Sequence, residues 1–319
     1  MTAFHAVLAV FALSFAAAAA PPAAAQQKDS AALFDECYEL DEEGGDEEAL
    51  ACYRRLLDRD GSHKWANNNS GWIYHNRGER QKAREHYDRA IAADPALVTA
   101  YINRGSLSYD EFDYEAALAD FLKAVELDPK NARAVFRAGE VYQDTGRNAK
   151  AVEWYTRYLR LEPDDPDGYS NRGLVLYKMD KDDEAEKDLN KALALKPDFW
   201  PALVNRSLVY KYAKKLKPAL ADLDKAAKLS PRQSIIYQLR ADVKLKLKDP
   251  AGARADVDEA LKLMPKNVEA LKLKAEILKS LGQADGAADA RKSAEVLGSS
   301  KDFAAVERER TNVDSETLR

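Results

Sequence analysis

Asparagine recurs at Asn69, Asn103, Asn171 and Asn205, separated by thirty-four positions or by twice that number. A carboxamide offers both a donor and an acceptor, so such a column can pair with an extended polypeptide backbone whatever side chains that backbone carries. Arg133 and Arg137 stand four positions apart, one helical turn, and can grip a carboxylate between them. Catalytic chemistry has far less to work with. Beyond Ala25 the only histidines are His63, His75 and His86, none of them in an H-E-x-x-H spacing, and no nucleophile elbow or glycine-rich phosphate loop occurs. The acidic pairs Asp164-Asp165 and Asp182-Asp183 fall at turns, where aspartate ordinarily caps helices. The expectation is of no catalytic residues, no metal ligands and no cofactor.

The elements that position these residues follow from six prolines, Pro95, Pro129, Pro163, Pro197, Pro231 and Pro265, which keep that same spacing of thirty-four. A fixed period of that length is the signature of a repeat array. Each proline follows an apolar-periodic stretch ending in Leu or Ala, where a residue without an N–H stops a helix. Counted from this signal, repeats begin at Ser30, Lys64, Val98, Ala132, Pro166, Trp200, Ser234 and Val268, eight in all. Their eighth residue is always small (Cys37, Gly71, Gly105, Gly139, Gly173, Ser207, Ala241, Ala275) and their twentieth is always Ala. The twenty-fourth is large in seven of them (Tyr53, Tyr87, Phe121, Tyr155, Leu189, Leu223, Val257). Small residues let two antiparallel helices approach closely, and alternating large and small residues pack one hairpin on the next. Gly44, Gly78, Gly146 and Gly282 mark inner turns, and Asp249-Pro250 suits a cap and first helical position.

A segment such as Tyr114-Glu-Ala-Ala-Leu-Ala-Asp-Phe-Leu-Lys-Ala-Val-Glu-Leu-Asp-Pro129 resembles the tetratricopeptide repeat (TPR), and the resemblance covers residues 30–301. The last repeat departs from the pattern, with Arg291 at the usual aromatic position and Ser299 in place of the proline, as a terminal repeat facing water should. The resemblance implies an all-α, right-handed superhelical solenoid of about eight helix-turn-helix hairpins spanning residues 26–301. It also implies that positions 2, 5, 6, 9, 12 and 13 of each repeat face a concave groove. Those positions carry Phe34, Tyr38, Trp65, Trp72, Tyr109, Phe136, Tyr177 and Tyr212, with the four asparagines and Arg137 at position 6. The expected peptide groove is therefore Asn69, Trp72, Asn103, Tyr109, Arg133, Phe136, Arg137, Asn171, Tyr177, Asn205 and Tyr212. The carboxylate clamp known from the family is half present: Asn103, Arg133 and Arg137 match its later members, whereas Asn68 and Trp72 stand where Lys and Asn would be.

Cys37 and Cys52 fall on the two helices of the first hairpin, near one level. In an oxidising compartment they can bridge; as separate thiols, Cys37 is the small packing residue of its position. The bridge is favoured, because Cys52 takes the place of His86, Asp120, Trp154, Asp188, Asp222 and Asp256, where no small apolar residue is required.

Residues 1–25 contain no Asp, Glu, Lys or Arg, and an apolar core over 6–20 precedes Pro21-Pro22 and Ala23-Ala24-Ala25. This reads as a secretory signal peptide cleaved before Gln26, giving an exported, periplasmic protein without a stable membrane span; the region before the core lacks Lys and Arg, and a retained anchor is the alternative. Residues 302–319 read as a polar tail with a short helix around 303–310. A net charge of −5 disfavours nucleic acid as partner. Charge is graded, with an acidic first repeat and a sixth carrying eight Lys and Arg against Asp222 and Asp224. The expected function is a non-catalytic scaffold binding an extended protein or peptide partner or assembling an envelope complex. Its rivals are a self-assembling spacer, hence a homo-oligomer, and an enzyme acting on envelope glycan.

Overall fold

The computed structural model describes residues 23–299, which divide into two compact bodies, one ending at Leu97 and one starting at Val98. Sixteen helices and no strand occur among the described residues. The N-terminal body holds α1 (Ala23–Glu42), α2 (Asp46–Arg59), α3 (Lys64–Asn76) and α4 (Arg80–Ala93). The C-terminal body holds α5 (Val98–Asp110), α6 (Tyr114–Leu127), α7 (Ala132–Asp144), α8 (Asn148–Leu161), α9 (Pro166–Lys178), α10 (Asp182–Leu195), α11 (Trp200–Tyr212), α12 (Leu216–Leu229), α13 (Ser234–Lys246), α14 (Pro250–Leu263), α15 (Val268–Ser280) and α16 (Ala284–Gly298). The expected leader lies outside the described residues except for Ala23–Ala25, which open α1. The expected tail over 302–319 lies outside them altogether.

Local chemistry accounts for the boundaries. α4, α6, α8, α10, α12 and α14 each end two residues before a proline of the periodic series, because the residue preceding proline is pushed out of helical geometry. Several first helices start on side-chain caps: Asn131 accepts from the Ala134 amide, Asp165 from those of Asp167 and Gly168, and Asn267 from that of Ala270, whereas α11 and α13 have none. Asp113 and Asp249 cap α6 and α14 in the same way, satisfying amides that lack intrahelical partners.

The turn inside each hairpin carries one residue with positive φ, at the fifteenth position of every repeat. Four of these are the glycines read from the sequence, Gly44, Gly78, Gly146 and Gly282; the others are Phe112, Asp180, Lys214 and Lys248, with φ of 61°, 58°, 58° and 63°. A left-handed conformation costs a residue with a Cβ about 1 kcal/mol or somewhat more. Lys214→Gly and Lys248→Gly, both at exposed turns, are each expected to stabilise the C-terminal body by up to ~1 kcal/mol, less the added freedom glycine gives the unfolded chain. Thermal unfolding of each variant checks this, and a lowered melting temperature contradicts it.

Within a hairpin the small eighth position meets the large twenty-fourth. A Cβ on Gly71 would lie 2.7 Å from the Tyr87 ring, and one on Gly105 would lie 2.8 Å from the Phe121 ring. Gly139 and Gly173 meet Tyr155 and Leu189 at 3.0 and 2.8 Å. In the remaining repeats the pair varies without a strict match of volumes: Ser207 goes with Leu223, Ala241 with Val257 and Cys37 with Tyr53. Tyr53, Tyr87, Phe121, Tyr155, Leu189, Leu223 and Val257 are all fully buried. The C-terminal body builds by the same unit throughout, each hairpin packing its second helix on the first helix of the next, as α8 does on α9 and α10 on α11.

Candidate functional site

The expected groove residues divide into those that hold the repeats together and those that present their side chains to solvent. In the N-terminal body the Asn69 amide donates to the Tyr53 hydroxyl at 3.1 Å and accepts from Asn68 at 3.0 Å. Tyr53 in turn donates to Asp41 at 3.2 Å, and burial pushes its phenol well above the ordinary range. Asn69 is thus one link of a polar chain joining three helices. Trp72, by contrast, is 45% exposed, with Trp65 and Tyr38 exposed on the same body.

In the C-terminal body Asn103 is buried, and Asn205 donates to the Ser170 hydroxyl at 3.1 Å, tying α11 to α9. Tyr109 donates its hydroxyl to Asp144 of α7; burial raises the Tyr109 phenol and also raises the Asp144 carboxyl, which the Tyr109 hydrogen bond partly offsets. Phe136 packs on Tyr155 and Tyr158 with ring centroids 5.6 and 4.8 Å away. Arg137 pairs with Glu140 at 2.9 Å on its own helix. Two further groove residues are Arg133, exposed on α7, and Asn171, half-buried on α9 with no intramolecular hydrogen bond to its amide among the described residues. Tyr177 and Tyr212 meet edge to face at 6.3 Å between α9 and α11, and Tyr212 is 60% exposed.

One recurrent feature escaped the sequence reading. Arg104, Arg172, Arg206 and Arg240, at the seventh position, each fork onto the aspartate sixteen residues later, Asp120, Asp188, Asp222 or Asp256, through two bonds of 2.6–2.9 Å. Three of them also reach back one hairpin with their remaining nitrogen: Arg172 to Thr156, Arg206 to Asn190 and Arg240 to Asp224, at 3.1, 2.7 and 3.0 Å. A planar guanidinium suits this three-way grip as an ammonium does not. The signal was present in the sequence, because the seventh-position arginine and the aspartate sixteen residues on occur together or not at all: repeat 4 has Ala138 and Trp154, repeat 2 Ser70 and His86.

Repeat 1 has Glu36 and Cys52 at those places, and there the structure joins Cys37 to Cys52 by a disulfide, the Cα atoms 5.2 Å apart. His86 is held by a 3.1 Å bond to Asn67 and a stack on Tyr74, and burial lowers its pKa to about 4. Among the described residues no group of His, Cys, Asp and Glu is arranged to hold a metal ion, and no helix is long and apolar enough to cross a membrane.

Antiparallel helical hairpins recurring at one fixed period define an all-α repeat solenoid. The tetratricopeptide repeat model matches residues 38–97, 103–166 and 239–300, and a second tetratricopeptide repeat model matches 166–199. The chain belongs to the tetratricopeptide repeat family. Its fold is similar to a tetratricopeptide repeat protein from Parabacteroides merdae ATCC 43184, with TM-score 0.64 and 20% identity over 79% of this chain and 99% of that one. It is also similar to a chain of the APC/C hetero-tetramer Cut9-Hcn1, with TM-score 0.65 and 20% identity over 76% of this chain and 48% of that one. A third similar structure is PilW, a widely conserved type IV pilus biogenesis factor, with TM-score 0.59 and 22% identity over 66% and 98%. No curated protein sequence matches the chain. Proteins of this family are typically non-catalytic scaffolds for protein–protein interaction.

Proposed function

We propose that this chain is an exported scaffold that binds an extended polypeptide on the first-helix face of its C-terminal body. The observation that carries the reading is the set of side chains presented there: the Asn171 amide with no hydrogen-bond partner among the described residues, the exposed Arg133, and the Tyr177–Tyr212 pair with one ring mostly in solvent. An amide reads a backbone, tyrosines offer rigid apolar area with a polar tip, and an arginine holds a carboxylate. The charge-free, apolar start of the chain supports export. Asparagines 69 and 205, already bonded within the fold, contribute to stability in this reading instead of to binding.

The test is capture of partners from an envelope extract by residues 26–319, followed by affinity measurement on a captured polypeptide. Asn171→Ala should weaken binding about fivefold, one hydrogen bond being worth ~1 kcal/mol, and Tyr212→Ala should weaken it at least as much. Neither substitution should shift the melting temperature appreciably. Undiminished binding by the double variant would place the partner on another surface.

A further inference from the structure

The seventh position shows what a repeat requires between its two helices and the hairpin before it. In repeats 5, 6 and 7 a guanidinium lies there, between the aspartate sixteen residues later and a polar side chain sixteen residues earlier. In repeat 8 Lys274 keeps the backward bond, 2.7 Å to Asp258. Repeat 4 replaces the whole set by Ala138, Trp154 and Leu122, an apolar group in which the indole supplies the volume.

Repeat 2 has neither arrangement. Ser70 stands at the seventh position, with His86 sixteen residues later and Arg54 sixteen residues earlier. These three side chains line a cavity of about 420 Å³ formed by α2, α3 and α4 within the N-terminal body. The residues around the cavity are therefore the ones whose counterparts grip a guanidinium in other repeats, and no side chain among the described residues takes the guanidinium's place.

The charge around this void is inverted. Arg54 takes the place of the acceptors Thr156, Asn190 and Asp224, Arg89, which pairs with Glu85 at 3.8 Å on its exposed side, also lines the cavity, and Asp58 is the single carboxylate among the lining residues. A cationic guest would face two guanidiniums. The histidine is also defined. Buried Asn67 donates its two amide hydrogens to the carbonyls of Gly61 and His63, at 3.0 and 3.2 Å, so its oxygen is the atom 3.1 Å from His86 Nδ1. An oxygen there requires the imidazole proton on Nδ1 and leaves Nε2 as the unprotonated nitrogen.

From this arrangement we propose that the cavity binds a carboxylate-bearing ligand, with Arg54 and Arg89 holding the carboxylate and Leu50 and Leu57 receiving its carbon skeleton. The chemistry is shared by a free small acid and by an acidic residue or chain end of a partner. The site lies on the N-terminal body and is independent of the polypeptide surface proposed above.

The experiment uses residues 26–319 with ¹⁵N-labelled histidine, titrated with glutarate and, separately, with a short peptide carrying a free C-terminal carboxylate and its C-terminally amidated form. Expected is a saturable shift of His86 Nε2 with His63 and His75 little moved, weakened roughly tenfold or more in Arg54→Gln, since loss of one arm of a charge-assisted clamp is felt at that scale. Arg54 is exposed, so that variant should melt with the wild type. A second variant, Ser70→Arg with Arg54→Asn, rebuilds the pair seen as Arg206 and Asn190 and should abolish the shift by filling the void. Saturation by glutarate assigns a free acid; saturation by the peptide but not by glutarate or the amide assigns a chain end. No saturable shift with any probe, or equal binding by both variants, overturns the proposal.

Discussion

Arg206→Leu is expected to destabilise the C-terminal body by about 3 kcal/mol, far more than the loss of one surface ion pair. The reason is what remains behind. Asp222 is 10% exposed at its side chain and receives two bonds of 2.8 Å from Arg206, which is itself 21% exposed. Removing the guanidinium leaves a nearly buried carboxylate without its counter-ion, a change that typically costs about 3–5 kcal/mol; residual solvent access puts this site at the low end. Arg206 also bonds Asn190 of the preceding hairpin at 2.7 Å and lies over the Tyr210 ring at 5.5 Å, so the variant weakens an interface between hairpins as well. The double variant Arg206→Leu with Asp222→Leu should recover most of the loss, because it removes the stranded charge along with the partner. Urea unfolding of the two singles and the double forms a cycle that isolates the coupling. Simple additivity would show that the fork contributes little beyond its separate parts.

Reduction of the Cys37–Cys52 pair is expected to loosen α1 and α2 while the middle of the chain stays folded. Closing a loop of this length is worth on the order of 3 kcal/mol in the chain-entropy model. The ion pairs between these helices do not substitute for it, since Arg59–Asp29 and Arg55–Glu36, at 2.8 and 3.4 Å, are largely exposed and such pairs contribute little; what remains is the apolar cluster around Tyr53 and its bond to Asp41. Because each hairpin of an array depends mainly on its neighbours, the loss stays local. Hydrogen exchange with and without reductant should show lost protection in α1 and α2 and unchanged protection in α9–α12. Two titratable thiols in the unreduced, denatured protein would refute the bridge.

The fold was legible because its determinants repeat. A proline two residues past six of the eight second helices and a small residue opposite a large one are periodic, and six or seven copies of one pattern separate signal from accident. The turns were half legible: glycine announces positive φ, whereas Phe112, Asp180, Lys214 and Lys248 adopt it because the hairpin around them dictates it. The candidate site was harder to read for a specific reason. Asparagine at the sixth position has one identity and several uses: Asn69 bonds Tyr53, Asn205 bonds Ser170, and Asn171 has no such partner. Those partners lie 16 and 35 residues earlier, in neighbouring helices, but the same separations from Asn171 meet Tyr155, whose hydroxyl bonds Gln143, and Phe136, so spacing alone could not sort them. The arginine–aspartate forks were missed for the opposite reason: their spacing is regular, but both residues look like ordinary surface charge until geometry shows them buried together.

The matched eighth and twenty-fourth residues constrain how such a chain can be rearranged. Gly71 with Tyr87 and Ala241 with Val257 fill one volume in two ways, and Cys37 with Tyr53 is the one pair in which a residue with a side chain stands with a tyrosine. A Cβ on Gly71 would sit 2.7 Å from the tyrosine ring, so an Ala241-type helix joined to a Tyr87-type helix is overpacked, and the reciprocal junction leaves a void beside a glycine. Genetic exchange between repeats at the proline keeps each pair intact and can lengthen or shorten the array without penalty to the hairpin. Exchange inside a hairpin, between those two positions, splits the pair. The proline boundaries are therefore the seams along which this protein can gain or lose repeats, and the interior of each hairpin must be inherited whole.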